Sequence, residues 1–179
     1  MIKIIAFDLV GVLVREKNIE LSESEDKLER LFGPNLSDSD YIESSSNIID
    51  KDVVVDTAKS IIDKLYEIKD RELFKNIKEI NNNIKIIIAT NHVSYIKDYI
   101  NKYFDMDNLD DIIISAEINK IKPNSDFYQY ILDKYNIDAS ELLFLDDNQN
   151  NIDGASILGI NTIKVNRDTN ILDEIKNYI

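Results

Sequence analysis

Asp8, Thr90, Lys122 and the pair Asp146-Asp147 are the residues of this chain whose types and spacing can do chemistry together. Asp8 directly follows the apolar run "IKIIAF", Thr90 ends "IKIIIAT", Lys122 comes after "DIIIS" in the segment "KIKPN", and Asp146 with Asp147 closes "LLFLDD". Four strand-to-helix junctions would then each present a polar or charged group at the same edge of a sheet, a convergence that structural needs alone seldom produce. Taken singly, each has a plain structural role: Thr90 as a helix cap, Lys122 as a solvated loop lysine, Asp147 as an N-cap. The chain has no cysteine, which removes thiolate catalysis, disulfides and sulfur-ligated metal. Its net charge of -13 argues against non-specific binding to nucleic acid or to an anionic membrane surface. Any anionic substrate therefore needs a local positive site.

The runs that end at these residues are rich in β-branched side chains and bounded by polar or turn residues, the pattern of strands buried on both faces. "NTIKV" is a weaker fifth candidate. Helix-period segments lie between them: "SYIKDYINKYF", "SDFYQYILDKYN" and "NNIDGASILG", the last closed by Gly159. Strand and helix in alternation predict an α/β fold, a Rossmann-like parallel sheet with helices on both faces. With 179 residues the chain is long enough for one such core plus a smaller elaboration.

Residues 15–81 break the alternation. A Ser22-to-Glu25 capping box and Gly33 bound a helix in "LSESEDKLERLFG". "DKDVVVDTAKSIIDKLYEI" and "RELFKNIKEI" continue helically, with only "VVV" strand-like. The expected organisation is a core of residues 1–14 and 82–179 with an all-helical cap of residues 15–81 inserted after the first strand. Such an insert sits over the carboxyl ends of the strands, where open α/β sheets bind ligands.

On these residues the sequence resembles the haloacid dehalogenase superfamily of hydrolases. "FDLVGVLV" stands for the first motif, "IIIATN" for the second, "NKIKP" for the third and "LFLDDNQNNIDGA" for the fourth. The subgroup indicated has its helical cap after the first strand and a last motif of Asp-Asp followed four residues on by Asn, here Asn151. The resemblance implies that Asp8 is a nucleophile that attacks phosphorus and forms an aspartyl-phosphate. It implies that Thr90 and Lys122 hold the phosphoryl oxygens, helped by backbone N–H groups of the turn that Gly11 lets come close. Asn91 and His92 are the further substrate-binding candidates. One Mg²⁺ is expected on Asp8, the carbonyl of Val10, Asp146 and Asp147, with Asn151 bracing that loop.

Val10 departs from the family pattern. Most phosphatases of the superfamily carry a second aspartate there, which protonates the leaving group and then activates water. A positioned acid or base contributes about 10²–10⁴-fold, so the departure bears on turnover. Three readings follow: a phosphatase acting on a good leaving group such as a sugar 1-phosphate or acyl phosphate, a dehalogenase that needs no acid, and a phosphate-binding module that has lost turnover. The Asp146-Asp147 pair favours Mg²⁺ and phosphorus over halide displacement. His92, the only histidine, is a candidate source of the missing proton.

The insert is expected to act as a lid that selects the substrate, with Arg15, Lys17 and the stretch Ser44 to Asn47 as contact candidates. The apolar stripe of "VVVDTAKSIIDKL" is expected to pack the cap's own core or form a dimer contact. The expected partner is a small phosphorylated metabolite, the expected state a monomer or homodimer, and the expected location cytoplasmic.

Overall fold

The computed structural model describes residues 1–33 and 37–179. In chain order its elements are β1 (Ile4–Phe7), β2 (Val14–Glu16), α1 (Glu23–Glu29), α2 (Asp38–Ser45), α3 (Val54–Leu65), β3 (Tyr66–Ile68), α4 (Leu73–Ile80), β4 (Lys85–Thr90), α5 (Ile96–Tyr103), β5 (Asp111–Ile114), α6 (Ser115–Ile118), α7 (Ser125–Tyr135), β6 (Leu142–Asp146), α8 (Gln149–Ile157), β7 (Asn161–Lys164) and α9 (Ile171–Ile175). The β-branched runs form a five-stranded parallel sheet in the order β5-β4-β1-β6-β7, flanked by helices. This is the α/β architecture that the alternating pattern predicts.

Register explains why the polar residues meet. Phe7 lies opposite Ile88 on β4 and Leu145 on β6, so the chain emerges from all three central strands at one edge. The Asp8 N–H extends the ladder by donating to the Leu145 carbonyl at 2.8 Å. Period-2 alternation then separates two apolar layers. Ile5, Phe7, Ile86, Ile88, Leu143 and Leu145 face one side. Ile4, Ala6, Ile87, Ala89 and Phe144 face the other, against Phe127 and Ile131 of α7 and Ile152 of α8.

The insert is not all-helical. β2 and β3 pair antiparallel, with Arg15 opposite Glu67 and Glu16 opposite Tyr66, so the two chain crossings at the base of the insert form a ribbon. "YEI" therefore leaves the helix that sequence periodicity extends through it. "VVV" is helical instead: Val54 opens α3, and Val54, Ala58, Ile61, Ile62 and Leu65 recur at the helical period and are buried. The capping box at Ser22 forms as expected, although α1 stops at Glu29, short of Gly33.

The apolar stripe of α3 joins one continuous core with the sheet face above. It packs on α5, where Lys59 reaches Asp98 at 2.7 Å and Lys102 reaches Asp63 at 2.9 Å. Those exposed ion pairs are screened by water and contribute little. Burying Val54, Ile61, Ile62 and Leu65 contributes about 1.5–3 kcal/mol per side chain, so burial decides the docking. That stripe is covered within the chain and is not left open for a dimer contact. No helix among the described residues is long and apolar enough to cross a membrane.

Candidate active site

The residues that open the sequence argument gather at the carboxyl edge of the sheet. The Lys122 Nζ donates to Asp8 Oδ1 and to Asp146 Oδ2, each at 2.8 Å. Its side chain is 1 % exposed and Asp146 is wholly buried, which makes this a desolvated ion cluster and not a surface pair. Burial pushes the Asp8 carboxyl up to about 6, opposed by the Lys122 charge and reinforced by Asp146. Burial alone would lower the Lys122 ammonium; the charges of Asp8 and Asp146 outweigh it and hold the ammonium above its ordinary value. Thr90 lies buried at the last position of β4, at the same edge.

The loop after β6 is built around Asp146. The backbone N–H of Asn148 donates to Asp146 Oδ1 at 2.7 Å, and Asn151 Nδ2 donates to Oδ2 at 3.0 Å. Asn151 is itself fixed by the Tyr128 hydroxyl, which donates to its carbonyl at 2.7 Å. Asn151 thus braces the acidic loop through a direct bond. Asp147 turns outward, and its carboxylate lies over Gly11: a Cβ on Gly11 would stand 2.2 Å from Asp147 Oδ2. With φ at +88°, Gly11 is needed both for the turn and for that approach.

A divalent cation fits this donor set. Asp8, Asp146 and Asp147 can each offer one carboxylate oxygen, and those oxygens lie within 4.8 Å of one another. Hard oxygen donors of this kind suit Mg²⁺.

Two of the expected substrate contacts also make structural bonds. Asn91 faces Lys122: its Nδ2 donates to the Lys122 carbonyl at 2.9 Å, and its Oδ1 accepts from the Lys122 N–H at 2.9 Å. Each end of the amide bonds the Lys122 main chain, so Asn91 helps to position the lysine. The Gly11 N–H donates to the Val14 carbonyl at 2.9 Å and so helps to close the turn after Asp8.

His92 is not at the cleft. It is 2 % exposed and packs at a tilt on Phe32, with ring centroids 4.9 Å apart. Its Nδ1–H donates to the Val93 carbonyl at 3.2 Å, and its Nε2 accepts from the Tyr66 hydroxyl at 3.1 Å. Burial brings the imidazole down to about 4, so it is neutral and has no proton to give near neutral pH. The segment it begins is where the insert docks on the core. Asp38 of α2 accepts from the Ser94 N–H at 2.8 Å and from the Ser94 hydroxyl.

The insert's other contact candidates divide. Arg15 lines a cleft of ≈ 1020 Å³ that also takes in Val10, Gly11, Lys69, Asp147 and Arg167, although its guanidinium is paired with Glu67 at 2.8 Å. Lys17 and the stretch Ser44 to Asn47 do not line it: Ser45 is buried, and the Ser46 hydroxyl bonds back to Glu43.

Sequence reasoning missed Gly154. A Cβ there would meet the Pro123 carbonyl at 2.5 Å, so Gly154 lets α8 close against the loop that carries Lys122. A glycine inside the helical pattern "NNIDGAS" was the available signal. Lys69, whose ammonium bonds the Gly11 carbonyl, had none.

A parallel sheet whose carboxyl edge holds a buried aspartate, a lysine and an acidic pair defines an α/β hydrolase of the haloacid dehalogenase type. A family model for haloacid dehalogenase-like hydrolases matches residues 5–165, and the chain belongs to that family. The (S)-2-haloacid dehalogenase 1 of Pseudomonas sp. (strain CBS-3) is 37% identical over 59 residues, covering 33% of this chain and 26% of that protein's length. Among solved structures, a predicted HAD-like family hydrolase from Porphyromonas gingivalis superposes with a TM-score of 0.75 at 22% identity, covering 99% of this chain and 97% of that one. An aspartate-to-alanine mutant of a HAD family enzyme from Bacteroides thetaiotaomicron, in complex with magnesium and inorganic phosphate, gives 0.74 at 18% identity over 97% of this chain and 99% of that one. The L-2-haloacid dehalogenase from Xanthobacter autotrophicus, with chloropropionic acid covalently bound, gives 0.68 at 17% identity over 99% of this chain and 84% of that one.

Proposed function

We propose that this chain is a Mg²⁺-dependent phosphohydrolase of a small phosphorylated metabolite of the sugar phosphate type. The observation that carries the reading is the pairing of two features at one strand end. Three carboxylates converge within the reach of one cation, and a buried ammonium lies 2.8 Å from two of them. Bound there, Mg²⁺ would offset the negative charge that otherwise keeps carboxylate and phosphate apart.

In this reading an Asp8 carboxylate oxygen attacks phosphorus, the bond from phosphorus to the leaving oxygen breaks, and the phosphoryl group is carried on Asp8. Water then attacks phosphorus and frees the carboxylate. Lys122, held in place by Asn91, and the Thr90 hydroxyl steady the phosphoryl oxygens. Asp8, Asp146, Asp147 and the Val10 carbonyl would hold the Mg²⁺, and the Asn151 bond to Asp146 supports placement in the subgroup with the Asp-Asp-x-x-x-Asn motif. The insert over residues 15–81 closes the site and sorts substrates.

A dehalogenase is the second reading. It is favoured by the 59-residue match to a 2-haloacid dehalogenase and by Val10, since halide departs without a proton. The converged carboxylates weigh against it.

The test is phosphate release with Mg²⁺ across sugar phosphates, acyl phosphates and nucleotides, comparing the natural protein with Asp8→Asn and Val10→Asp. Turnover that vanishes in Asp8→Asn supports the phosphatase. Halide release from 2-haloacids without added metal would replace it, and activity seen only in Val10→Asp would make the natural chain a phosphate-binding module.

A further inference from the structure

The proposed phosphatase reading leaves one step without a residue: the proton for the departing oxygen. Val10 has none to give, and His92 is buried and neutral. Val10 does line the ≈ 1020 Å³ cleft, so whatever replaces the missing acid must reach that space. The cleft's ionisable side chains are Arg15, Glu16, Lys69, Asp70, Asp147 and Arg167. Arg15 is paired with Glu67, the Asp70 carboxylate accepts from the Glu72 N–H at 2.9 Å in the turn before α4, and Asp147 belongs to the acidic cluster.

Lys69 is placed differently. Its ammonium donates to the carbonyl of Gly11, the residue after Val10, and its own N–H donates to the Leu13 carbonyl at 2.9 Å. Among the cleft's ionisable groups it is the one bonded to the main chain of the turn that follows Asp8. The antiparallel ribbon brings it to Gly11 from 58 residues away in sequence, because β3 returns alongside β2 and the chain runs on into Lys69.

We propose that Lys69 is the general acid of this site, delivering from just beyond the end of β3 the proton that position 10 does not carry. As the phosphorus–oxygen bond to the leaving group breaks, the leaving oxygen takes a proton from the Lys69 ammonium. The resulting neutral amine accepts a proton from water as that water attacks the phosphoryl-aspartate, which restores the ammonium. Loss of hydration against the cleft wall lowers the Lys69 ammonium, Asp147 draws it upward, and Arg15 lowers it again. A lowered ammonium is the better donor. Glu16, Asp70 and Arg167 are the remaining charged groups lining the cleft.

The test compares two esters in the natural protein, Lys69→Arg and Lys69→Met, with Asp8→Asn as the blank. One is 4-nitrophenyl phosphate, whose leaving group departs as a stable anion. The other is glucose 6-phosphate, whose alkoxide needs a proton. Arginine keeps a donor for the Gly11 carbonyl and does not give up its proton. Both variants should lower the ratio of kcat/KM on the alkyl ester to that on the aryl ester by about 10²-fold or more, while Mg²⁺ affinity by calorimetry stays within a factor of three in Lys69→Arg. An unchanged ratio in both variants, or full recovery of alkyl turnover by arginine, would show that Lys69 only holds the turn and overturns the proposal. The phosphatase reading fails by a different signal, namely no Asp8-dependent turnover of either ester by the natural protein, and the Lys69 assignment falls with it.

Discussion

Only one histidine is present, so its ionisation can be read without interference. His92 sits neutral in the core, brought down to about 4 by burial from an ordinary 6.5. The unfolded chain takes up that proton near pH 6.5, whereas the folded chain refuses it until about pH 4. Neutral His92 therefore contributes its full stability above pH 6.5, and the contribution shrinks as pH falls through that window. At pH 5 the unfolded state is ahead by about 1.5 logarithmic units, which is about 2 kcal/mol, rising to about 3 kcal/mol at pH 4 and below. Carboxylates titrate in the same range, so the measurement has to be a difference. His92→Phe keeps a ring between Phe32 and Tyr66 and cannot titrate; its lost bond to Tyr66 is a constant offset. Urea unfolding at pH 7 and pH 5 should show the natural protein losing about 2 kcal/mol more than His92→Phe. The proton resonance of the single imidazole should stay at its neutral position down to about pH 5 in the folded protein. An imidazole that titrates near 6.5 while folded, or equal losses in both proteins, would refute the burial argument and return His92 to the list of proton donors.

Two further outcomes follow from the supports around Lys122. Asn91→Ala removes both bonds to the Lys122 main chain and should destabilise the protein by about 1–3 kcal/mol, read from the urea midpoint, with phosphate release falling more than KM changes; an unaffected rate would mean that Lys122 is held by Asp8 and Asp146 alone. Gly154→Ala sets two effects against each other. Helix propensity favours alanine by about 1 kcal/mol, but the added Cβ meets the Pro123 carbonyl at 2.5 Å. Overpacking of that kind costs about 1–3 kcal/mol, so net destabilisation is expected. A raised melting temperature would show that α8 can retreat from the loop.

Read from its residues alone, the chain already specified a parallel α/β sheet, because its β-branched runs are too continuously apolar to face water on either side. It also specified which residues stand at the sheet's working edge. A strand's last residue is a one-dimensional property, so Asp8, Thr90 and Asp146 could be placed there without coordinates. The insert's position after β1 was legible for the same reason, but its ribbon was not. "YEI" continues a helical period, and it is strand because β2 returns beside it, a pairing across 52 residues.

Tertiary packing alone decided how the site's polar groups are used. Asn91 and His92 are adjacent in sequence, and no local pattern distinguishes an amide bonded to both sides of Lys122 from an imidazole sealed under the insert. The same holds for Lys69, an unremarkable charged residue until the ribbon sets it against Gly11. Periodicity records which face of an element is buried. It carries no information about which distant chain covers that face, and here that covering separates a residue aimed at the cleft from one that holds the fold in place.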